Sequence, residues 1–271
     1  MGKNTHLIVL DLDGTLLKDD KTISAKTKVT IQKAKENGHL VMIATGRPYR
    51  ASEMYYRELG LTTPIVNFNG AFVHHPLHND WGMFHHPLSI DITKEIVDAC
   101  HQFNFHNIIA EVMDEVYFHY HDEKLLDIFS LGNPTITTGD LRKFLQDSPT
   151  CLLIHASEKD VTSIREHLNK VHAEVIDHRR WAAPWHVIEI VKSGLNKAVG
   201  IKKVADYYGI PKERIIAFGD EDNDLEMIEY AGIGVAMGNG IAPLKAIANE
   251  ITGTNEEDGI ANFLQSYLHL K

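Results

Sequence analysis

The sequence predicts an α/β protein with a doubly wound parallel sheet and an inserted α+β domain. Apolar strands and amphipathic helices alternate up to about Phe72 and again after about Val187, which is typical of a parallel sheet covered by helices. The chain has 271 residues and 44% hydrophobic content, which suffices for two domains that each bury a core. We therefore expect a core of residues 1–83 and 187–271 and an inserted domain of residues 84–186.

The first predicted strand ends in a pair of acidic residues. The apolar run of residues 7–10 indicates a buried parallel strand, and Asp11 and Asp13 follow it directly. Alternation along an extended chain points both carboxylates the same way, at the sheet edge where open α/β proteins build their sites. Because buried charges are costly unless a cation or a reaction uses them, the pair indicates a functional site. A single Asp here would fit an ordinary turn.

The second predicted strand, residues 40–44, leads into a turn suited to an anion. Thr45 and Gly46 follow the strand, and Pro48 is expected at the first position of a helix. The backbone N–H groups of such a turn and the Thr45 hydroxyl can bind a phosphate. The pattern fits an ordinary connection between a strand and a helix equally well.

The middle of the chain predicts a domain of different construction. Residues 85–90, 116–121 and 152–156 have the pattern of half-exposed strands. Residues 93–103 and 161–172 have the pattern of amphipathic helices. We expect these elements to form the inserted α+β domain.

A lysine at the start of a helix follows the inserted segment. The pattern predicts a helix over residues 196–208 that Gly209 and Pro211 end. Lys197 lies at its N-terminus, where a positive charge opposes the helix dipole by roughly a few tenths of a kcal/mol. An anionic partner would make this position favourable.

A second acidic cluster follows another predicted strand, residues 215–218. Asp220 lies at the carboxyl end of this strand, and Asp224 falls in the first turn of the next predicted helix, residues 225–230. If the two acidic strands are neighbours, their carboxylates converge and need a divalent cation, and oxygen ligands suit Mg²⁺. The loop does not fit an EF-hand, because Gly is absent from the sixth position counted from Asp220 or Asp222.

The composition argues against several classes of function. A formal net charge of −10 disfavours nucleic acid or an anionic membrane as the main partner. No apolar stretch approaches the ~20 residues of a membrane span, and the N-terminus leads into Asp11 too soon for a signal peptide. We therefore expect a cytoplasmic protein. Cys100 and Cys151 are expected to be reduced thiols in the core.

Together the motifs resemble the haloacid dehalogenase (HAD) superfamily, specifically its Cof-type phosphatases with a type IIB (C2) cap inserted after the third core strand. They occur in the family's order over nearly the whole chain. The matching pieces are Asp11-Leu12-Asp13-Gly14-Thr15, Ala44-Thr45-Gly46-Arg47, Asn69-Gly70-Ala71, Lys197, Gly219-Asp220-Glu221-Asp222-Asn223-Asp224 and Ala236-Met237-Gly238-Asn239. Lys192 and Ser193 depart from the pattern, because relatives often carry a proline there.

The resemblance implies a Mg²⁺-dependent phosphatase that works through an aspartyl-phosphate. Asp11 would be the nucleophile, and Asp13 the general acid and base. The side chains of Asp11 and Asp220 and the backbone carbonyl of Asp13 would bind Mg²⁺, and Asp224 would orient these ligands. The phosphoryl oxygens would be held by Thr45, the backbone of Leu12 and Gly46, Asn223 and Lys197.

The resemblance also narrows the substrate to a class. Cof-type relatives mostly hydrolyse sugar phosphates and other small phosphomonoesters, and some Bacillus members act on 5-amino-6-(5-phospho-D-ribitylamino)uracil. We therefore expect a small phosphorylated metabolite as the partner, with the inserted domain as a hinged lid that selects it. The candidate substrate contacts, which could equally pack the lid on the core, are Arg179, Arg180, Trp181 and Trp185.

Three other functions share parts of this pattern. A dehalogenase uses the same nucleophile but has no leaving alkoxide to protonate, so Asp13 disfavours it. A phosphomutase stays open, because it uses the same residues for transfer. A phospho-accepting signalling module also places Asp and Lys residues around Mg²⁺, but it needs neither a second acid two residues after the acceptor nor a large lid.

Overall fold

The computed structural model describes residues 5–180 and 186–270. In chain order the strands are β1 (Leu7–Leu10), β2 (Leu40–Ile43), β3 (Ile65–Asn67), β4 (Phe72–His74), β5 (Met83–His85), β6 (Phe105–Val112), β7 (Glu115–Phe118), β8 (Ile136–Thr138), β9 (Cys151–Ala156), β10 (Ile176–Arg180), β11 (Val187–Lys192), β12 (Ile215–Gly219), β13 (Ile233–Ala236) and β14 (Glu250–Ile251). The helices are α1 (Ala25–Glu36), α2 (Glu53–Glu58), α3 (Ile90–Cys100), α4 (Glu123–Phe129), α5 (Leu141–Phe144), α6 (Glu158–His172), α7 (Lys197–Tyr208), α8 (Leu225–Tyr230), α9 (Ala242–Ile247) and α10 (Gly259–Tyr267).

The chain forms two compact units. The first unit contains the chain up to Gly46, the stretch Glu53–Met83 and the chain from Asn196 onward. The second unit contains Arg47–Ser52 and Phe84–Leu195. Among the described residues, no helix is long and apolar enough to cross a membrane.

The first unit is built on a parallel sheet with the strand order β14-β13-β12-β1-β2. β1 lies between β12 and β2, and Leu10 is in register with Phe218 on one side and with Ile43 on the other. All four residues of β1 are buried, which explains why its sequence is wholly apolar. The predicted parallel α/β sheet is confirmed, and the carboxyl ends of β1, β2 and β12 lie side by side.

Helix α7 has well-defined ends that match the sequence pattern. Asn196 precedes it, and its side-chain oxygen accepts the backbone N–H of Val199 at 3.1 Å. Gly209 ends it in a left-handed conformation, with φ of 64°, which glycine adopts without a steric penalty. These two caps place Lys197 in the first turn.

The segment after Thr45 and Gly46 differs from the prediction. No helix begins at Pro48, which is extended and precedes a single 3-10 turn, Tyr49–Ala51. The physical reason is that the Arg50 N–H donates to the Asp114 side chain at 2.9 Å, so this backbone is bound within the second unit.

The second unit is built on a six-stranded sheet with the order β10-β11-β9-β6-β7-β8. Its pairs are antiparallel except for β7 and β8, which are parallel. Side chains of α3 and α6, such as Ile96 and Ile164, share one apolar core with Ile108 and Ile154 of the sheet. The expectation of a half-exposed strand at residues 152–156 is wrong, because every residue of β9 except the half-buried His155 is buried.

Two further predicted boundaries are wrong. β11 was expected to open the second part of the core, but it pairs with β9 and β10 within the second unit, which extends to Leu195. Residues 86–90 were expected to be strand, but β5 ends at His85 and α3 begins at Ile90.

Candidate active site

Three carboxylates from two neighbouring strand ends meet in the first unit. Asp11 directly follows β1, Asp220 directly follows β12, and Asp224 ends a single 3-10 turn before α8. Each carboxylate offers an oxygen within 4.8 Å of the other two, and all three residues are buried. The parallel register of β1 and β12 is what brings these oxygens together.

Lys197 lies between two of these carboxylates. Its Nζ is 2.6 Å from Asp11 Oδ1 and 2.6 Å from Asp224 Oδ1, and its side chain is fully buried. Burial disfavours the ammonium form, but the two carboxylates outweigh this and raise the pKa of Lys197. The lysine therefore stays charged.

The site keeps an excess of acidic groups. Burial raises the pKa of Asp11, and Lys197 opposes that shift. Burial, followed by the nearby Asp224, raises the pKa of Asp220 to about 7. One ammonium group cannot neutralise three carboxylates, so this position suits a divalent cation with oxygen ligands.

Backbone geometry fixes the acidic residues. Asp224 Oδ2 accepts two hydrogen bonds from backbone N–H groups. The donors are Asp220 at 2.9 Å and Glu221 at 3.1 Å. Gly219 leaves no room for a side chain, because a Cβ there would lie 2.5 Å from the Asp224 Cβ. Gly14 has φ of 73°, and a Cβ there would lie 2.2 Å from Asp220 Oδ2. Both glycines are required for this close packing.

Thr15 is a site residue that sequence reasoning missed. Its hydroxyl donates to Asp220 Oδ1 at 2.8 Å and orients that carboxylate. The residues are 205 positions apart in the chain, so only the fold joins them. The available signal was the threonine that closes the acidic motif at the end of β1.

Thr45 and Gly46 follow β2 at the same edge of the sheet. The Thr45 N–H donates to the Val66 carbonyl at 2.9 Å, and the Thr45 carbonyl accepts the Asn69 N–H at 3.1 Å. Asn223 donates from Nδ2 to Asn69 Oδ1 at 3.0 Å. A Cβ on Gly46 would lie 3.2 Å from the side-chain nitrogen, Nδ2, of Asn69. Asn69 is therefore hydrogen-bonded to Thr45 and Asn223 and packs against Gly46, which are three of the predicted phosphate-binding residues.

Asn69 is the second residue that sequence reasoning left out of the site. It is buried and has φ of 52°, a left-handed conformation that Asn tolerates better than most residues. Gly70 follows with φ of 101°, and a Cβ there would lie 2.2 Å from the Asn196 carbonyl oxygen. This contact sets the start of α7 and therefore the position of Lys197. The Asn-Gly pair was the available signal.

Asp13 lies apart from the buried carboxylates. Its side chain is 44% exposed, and its Oδ1 is 2.8 Å from Lys21 Nζ. Lys21 is itself held by Tyr55, whose hydroxyl donates to the Lys21 carbonyl at 3.0 Å. The positive charge of Lys21 therefore lies beside this carboxylate. The side chain of Leu12, between the two aspartates, is buried.

The substrate contacts predicted in the second unit are only partly described. Arg179 is half-buried in β10, opposite Glu189 of β11. Trp181 and Trp185 lie outside the described residues, as does the side chain of Arg180. Their roles stay predictions.

The chain matches the family of haloacid dehalogenase-like hydrolases over residues 8–264. It therefore belongs to the haloacid dehalogenase-like hydrolases, as its motifs predicted. It is similar over its whole length to phosphatases of this family, and it is an enzyme of the same class, a phosphoric monoester hydrolase.

Three comparisons define this relationship. The 5-amino-6-(5-phospho-D-ribitylamino)uracil phosphatase YitU of Bacillus subtilis is 64% identical over 270 residues, covering 100% of both chains. The pyridoxal phosphate phosphatase YbhA of Escherichia coli is 28% identical over 97% of this chain and 99% of its own. The crystal structure of a haloacid dehalogenase-like hydrolase from Bacteroides thetaiotaomicron has 27% identity and a TM-score of 0.85, covering 97% of this chain and 99% of that one.

Proposed function

We propose that this phosphatase removes the phosphate group from 5-amino-6-(5-phospho-D-ribitylamino)uracil. The observation that supports this substrate is the 64% identity to YitU over the full length of both proteins. We also propose a cytoplasmic location, which agrees with the free, buried thiols of Cys100 and Cys151.

We propose Mg²⁺ as the cofactor, held by the side chains of Asp11 and Asp220 and the backbone carbonyl of Asp13, with Asp224 orienting them. The donor set fits, because three buried carboxylates within 4.8 Å of one another have one ammonium group to balance them. When bound, Mg²⁺ would offset the repulsion between Asp11 and a phosphate dianion. At ~4 Å and an effective dielectric of ~20 that repulsion is ~8 kcal/mol, about six decades in rate.

Asp11 supplies the nucleophile in this proposal. A carboxylate oxygen attacks the phosphorus in line, the bond between phosphorus and the leaving oxygen breaks, and an aspartyl-phosphate forms. Water then attacks this intermediate and releases inorganic phosphate. Lys197 stays protonated beside Asp11 and stabilises a phosphoryl oxygen as negative charge redistributes.

Asp13 acts as the general acid and base. It protonates the leaving alkoxide in the first step and removes a proton from the attacking water in the second. Its partly exposed carboxylate, outside the buried acidic group, can meet a leaving group without competing for the cation. Thr45, the backbone of Leu12 and Gly46, and Asn223 hold the remaining phosphoryl oxygens.

Phosphate release by the purified protein tests this function. The ribitylaminouracil phosphate, a panel of sugar phosphates and pyridoxal phosphate are compared at equal concentration with added Mg²⁺. We expect the first compound to give the highest kcat/KM, by about tenfold or more. Chelation of the metal and the substitution Asp11→Asn should each abolish release, and added Mg²⁺ should restore it only in the parent protein.

Three outcomes would contradict different parts of the proposal. A sugar phosphate with the higher kcat/KM would overturn the substrate and leave the reaction class intact. Full turnover by Asp11→Asn would overturn the nucleophile, because the amide cannot form the acyl phosphate. Transfer of phosphate within the substrate, without release, would indicate a phosphomutase.

A further inference from the structure

The second unit contains a short piece of chain that the sequence pattern assigned to the core. Residues on both sides of Arg47–Ser52 belong to the first unit, so the chain passes between the units at four points. Two of these points flank this segment. The first follows Gly46 directly, at the end of the turn to which we assign phosphate binding.

A buried ion pair holds this segment within the second unit. The Arg50 guanidinium contacts both carboxylate oxygens of Glu111 in β6, at 3.1 and 3.4 Å. The two side chains are only 6% and 4% exposed. The Arg50 backbone N–H donates to Asp114 at 2.9 Å. Gly132 packs so closely that a Cβ there would lie 2.6 Å from the Arg50 carbonyl oxygen. Side chain and backbone of Arg50 are therefore both fixed.

The segment is also tied together internally. Arg47 donates from Nη1 to the Ala51 carbonyl at 3.2 Å. The Ser52 hydroxyl is 3.1 Å from the carbonyl oxygens of both Pro48 and Tyr49. A displacement at residue 50 is therefore passed to Arg47, which is covalently bonded to Gly46. On the other side of the turn, the backbone of Thr45 is bonded within the first unit.

Stability alone does not account for the ion pair. Burial raises the pKa of Glu111, and the opposing effect of Arg50 does not cancel it. A buried ion pair can often be replaced by apolar side chains with little loss of stability, whereas removal of one partner is strongly destabilising. The planar guanidinium and the carboxylate fix each other's orientation through paired hydrogen bonds. Two apolar side chains would pack together without this orientational constraint.

We propose that Arg50 is a positioning residue, which holds Arg47–Ser52 against Glu111 and thereby sets the backbone of the Thr45–Gly46 turn for phosphate binding. This inference rests on the proposed phosphate-binding role of that turn. It does not depend on which metabolite is the natural substrate. A phosphate-binding turn that is displaced by a fraction of an ångström should lose affinity for every phosphomonoester alike.

The test compares variants of this buried pair with a variant of a more exposed ion pair in the second unit. The double variant Arg50→Met/Glu111→Leu removes both charges and leaves no unpaired buried group. Arg50→Lys keeps the charge but loses the planar contact. Arg142→Met is the control, because Arg142 also forms ion pairs in the second unit, with Asp140 and Asp98.

The measurements are KM and kcat for p-nitrophenyl phosphate, the inhibition constant of inorganic phosphate, and the melting temperature. We expect the double variant to raise KM and the inhibition constant together, by about tenfold or more, with a smaller change in kcat. Arg50→Lys should recover part of this loss. Arg142→Met should leave both constants unchanged.

A double variant that folds and keeps the parent's KM and phosphate inhibition would overturn the proposal. If it does not fold, Gly132→Ala provides a second test, because the new methyl group would press on the Arg50 carbonyl while the ion pair stays intact. Unchanged phosphate inhibition in a folded Gly132→Ala variant would also count against it. Failure of the proposed substrate would appear in the parent protein and would leave these comparisons valid.

Discussion

Lys197 shows how single residues determine the chemistry of this site. A buried ammonium group is costly on its own, and here it is stable because Asp11 and Asp224 each accept a hydrogen bond from it. The same two contacts hold Asp11 in one orientation. At the start of α7 the positive charge opposes the helix dipole, and the two carboxylates offset that cost.

Asp13 provides a test at the residue scale, because its two proposed roles depend differently on the leaving group. Asp13→Asn should leave metal binding nearly intact, since the proposed ligand is the backbone carbonyl. Turnover of alkyl phosphates should fall by about 10² to 10⁴. The first step with p-nitrophenyl phosphate should be spared, because nitrophenolate leaves without protonation.

Pre-steady-state release of nitrophenol separates these steps. We expect a burst in the Asp13→Asn variant, followed by slow hydrolysis of the aspartyl-phosphate. Equal loss of the burst and of alkyl phosphate turnover would show that Asp13 is not the acid. Lys21→Met is a useful comparison, because it removes the cation at 2.8 Å from Asp13 and keeps the carboxylate.

At the scale of elements, the best predictions came from segments whose own sequence determines their structure. β1 and β12 are wholly buried, so an apolar run specifies them, and α7 has caps at both ends. β11 is also largely buried, although it contains Glu189 and Lys192. Its partners β9 and β10 are antiparallel strands of the second unit, and the local pattern did not distinguish that arrangement from a core strand.

The candidate site also contains residues that a local motif predicts and contacts that only the tertiary fold creates. Asp11, Asp220, Asp224 and Lys197 were predicted from motifs that follow strands or begin a helix. The contacts of Thr15 and Asn69 were not, because they join residues 205 and 154 positions apart in the chain. Arg50 was missed for the same reason, since Glu111 lies 61 residues away. The threonine of the acidic motif and the Asn-Gly pair mark two of these residues in the sequence, but their partners follow only from the tertiary fold.

The end of β12 offers a test at the element scale. Gly219→Ala should displace Asp224, because the new Cβ would lie 2.5 Å from the Asp224 Cβ. We expect kcat/KM to fall by about 100-fold and the Mg²⁺ concentration for half-maximal activity to rise. The control is Gly253→Ala, where the nearest atom lies 3.5 Å from the added Cβ. Parent-like metal dependence in Gly219→Ala would show that the packing is not needed for the site.

Both units of the molecule hold several histidines that are buried or half-buried. The pKa of His74 is lowered from 6.5 to about 4, and burial is the largest cause. Burial also lowers the pKa of seven others, which are His39, His75, His85, His119, His155, His172 and His178. These side chains are neutral in the folded protein at a pH where the unfolded chain binds protons. These histidines should therefore lower the stability of the fold in mild acid.

The sign of this effect follows from proton linkage. Between pH 6.5 and about 4 the unfolded state binds more protons at residue 74 than the folded state does, so the free energy of unfolding falls as the pH falls through this window. Above pH 6.5 this histidine contributes no pH dependence. Allowing for partial solvent exposure of the ring, His74 should account for a loss of about 2 kcal/mol.

Thermal unfolding of the full chain between pH 4 and pH 7.5 measures this loss. We expect His74→Gln to lose less melting temperature between pH 6.5 and pH 4 than the parent, which changes the slope of melting temperature against pH, because the side chain no longer titrates. His121→Gln is the matched control, since His121 is exposed and its loss should leave the slope unchanged. If the melting temperature of His74→Gln responded to acid as that of the parent does, the half-buried ring of His74 would not be a source of this effect.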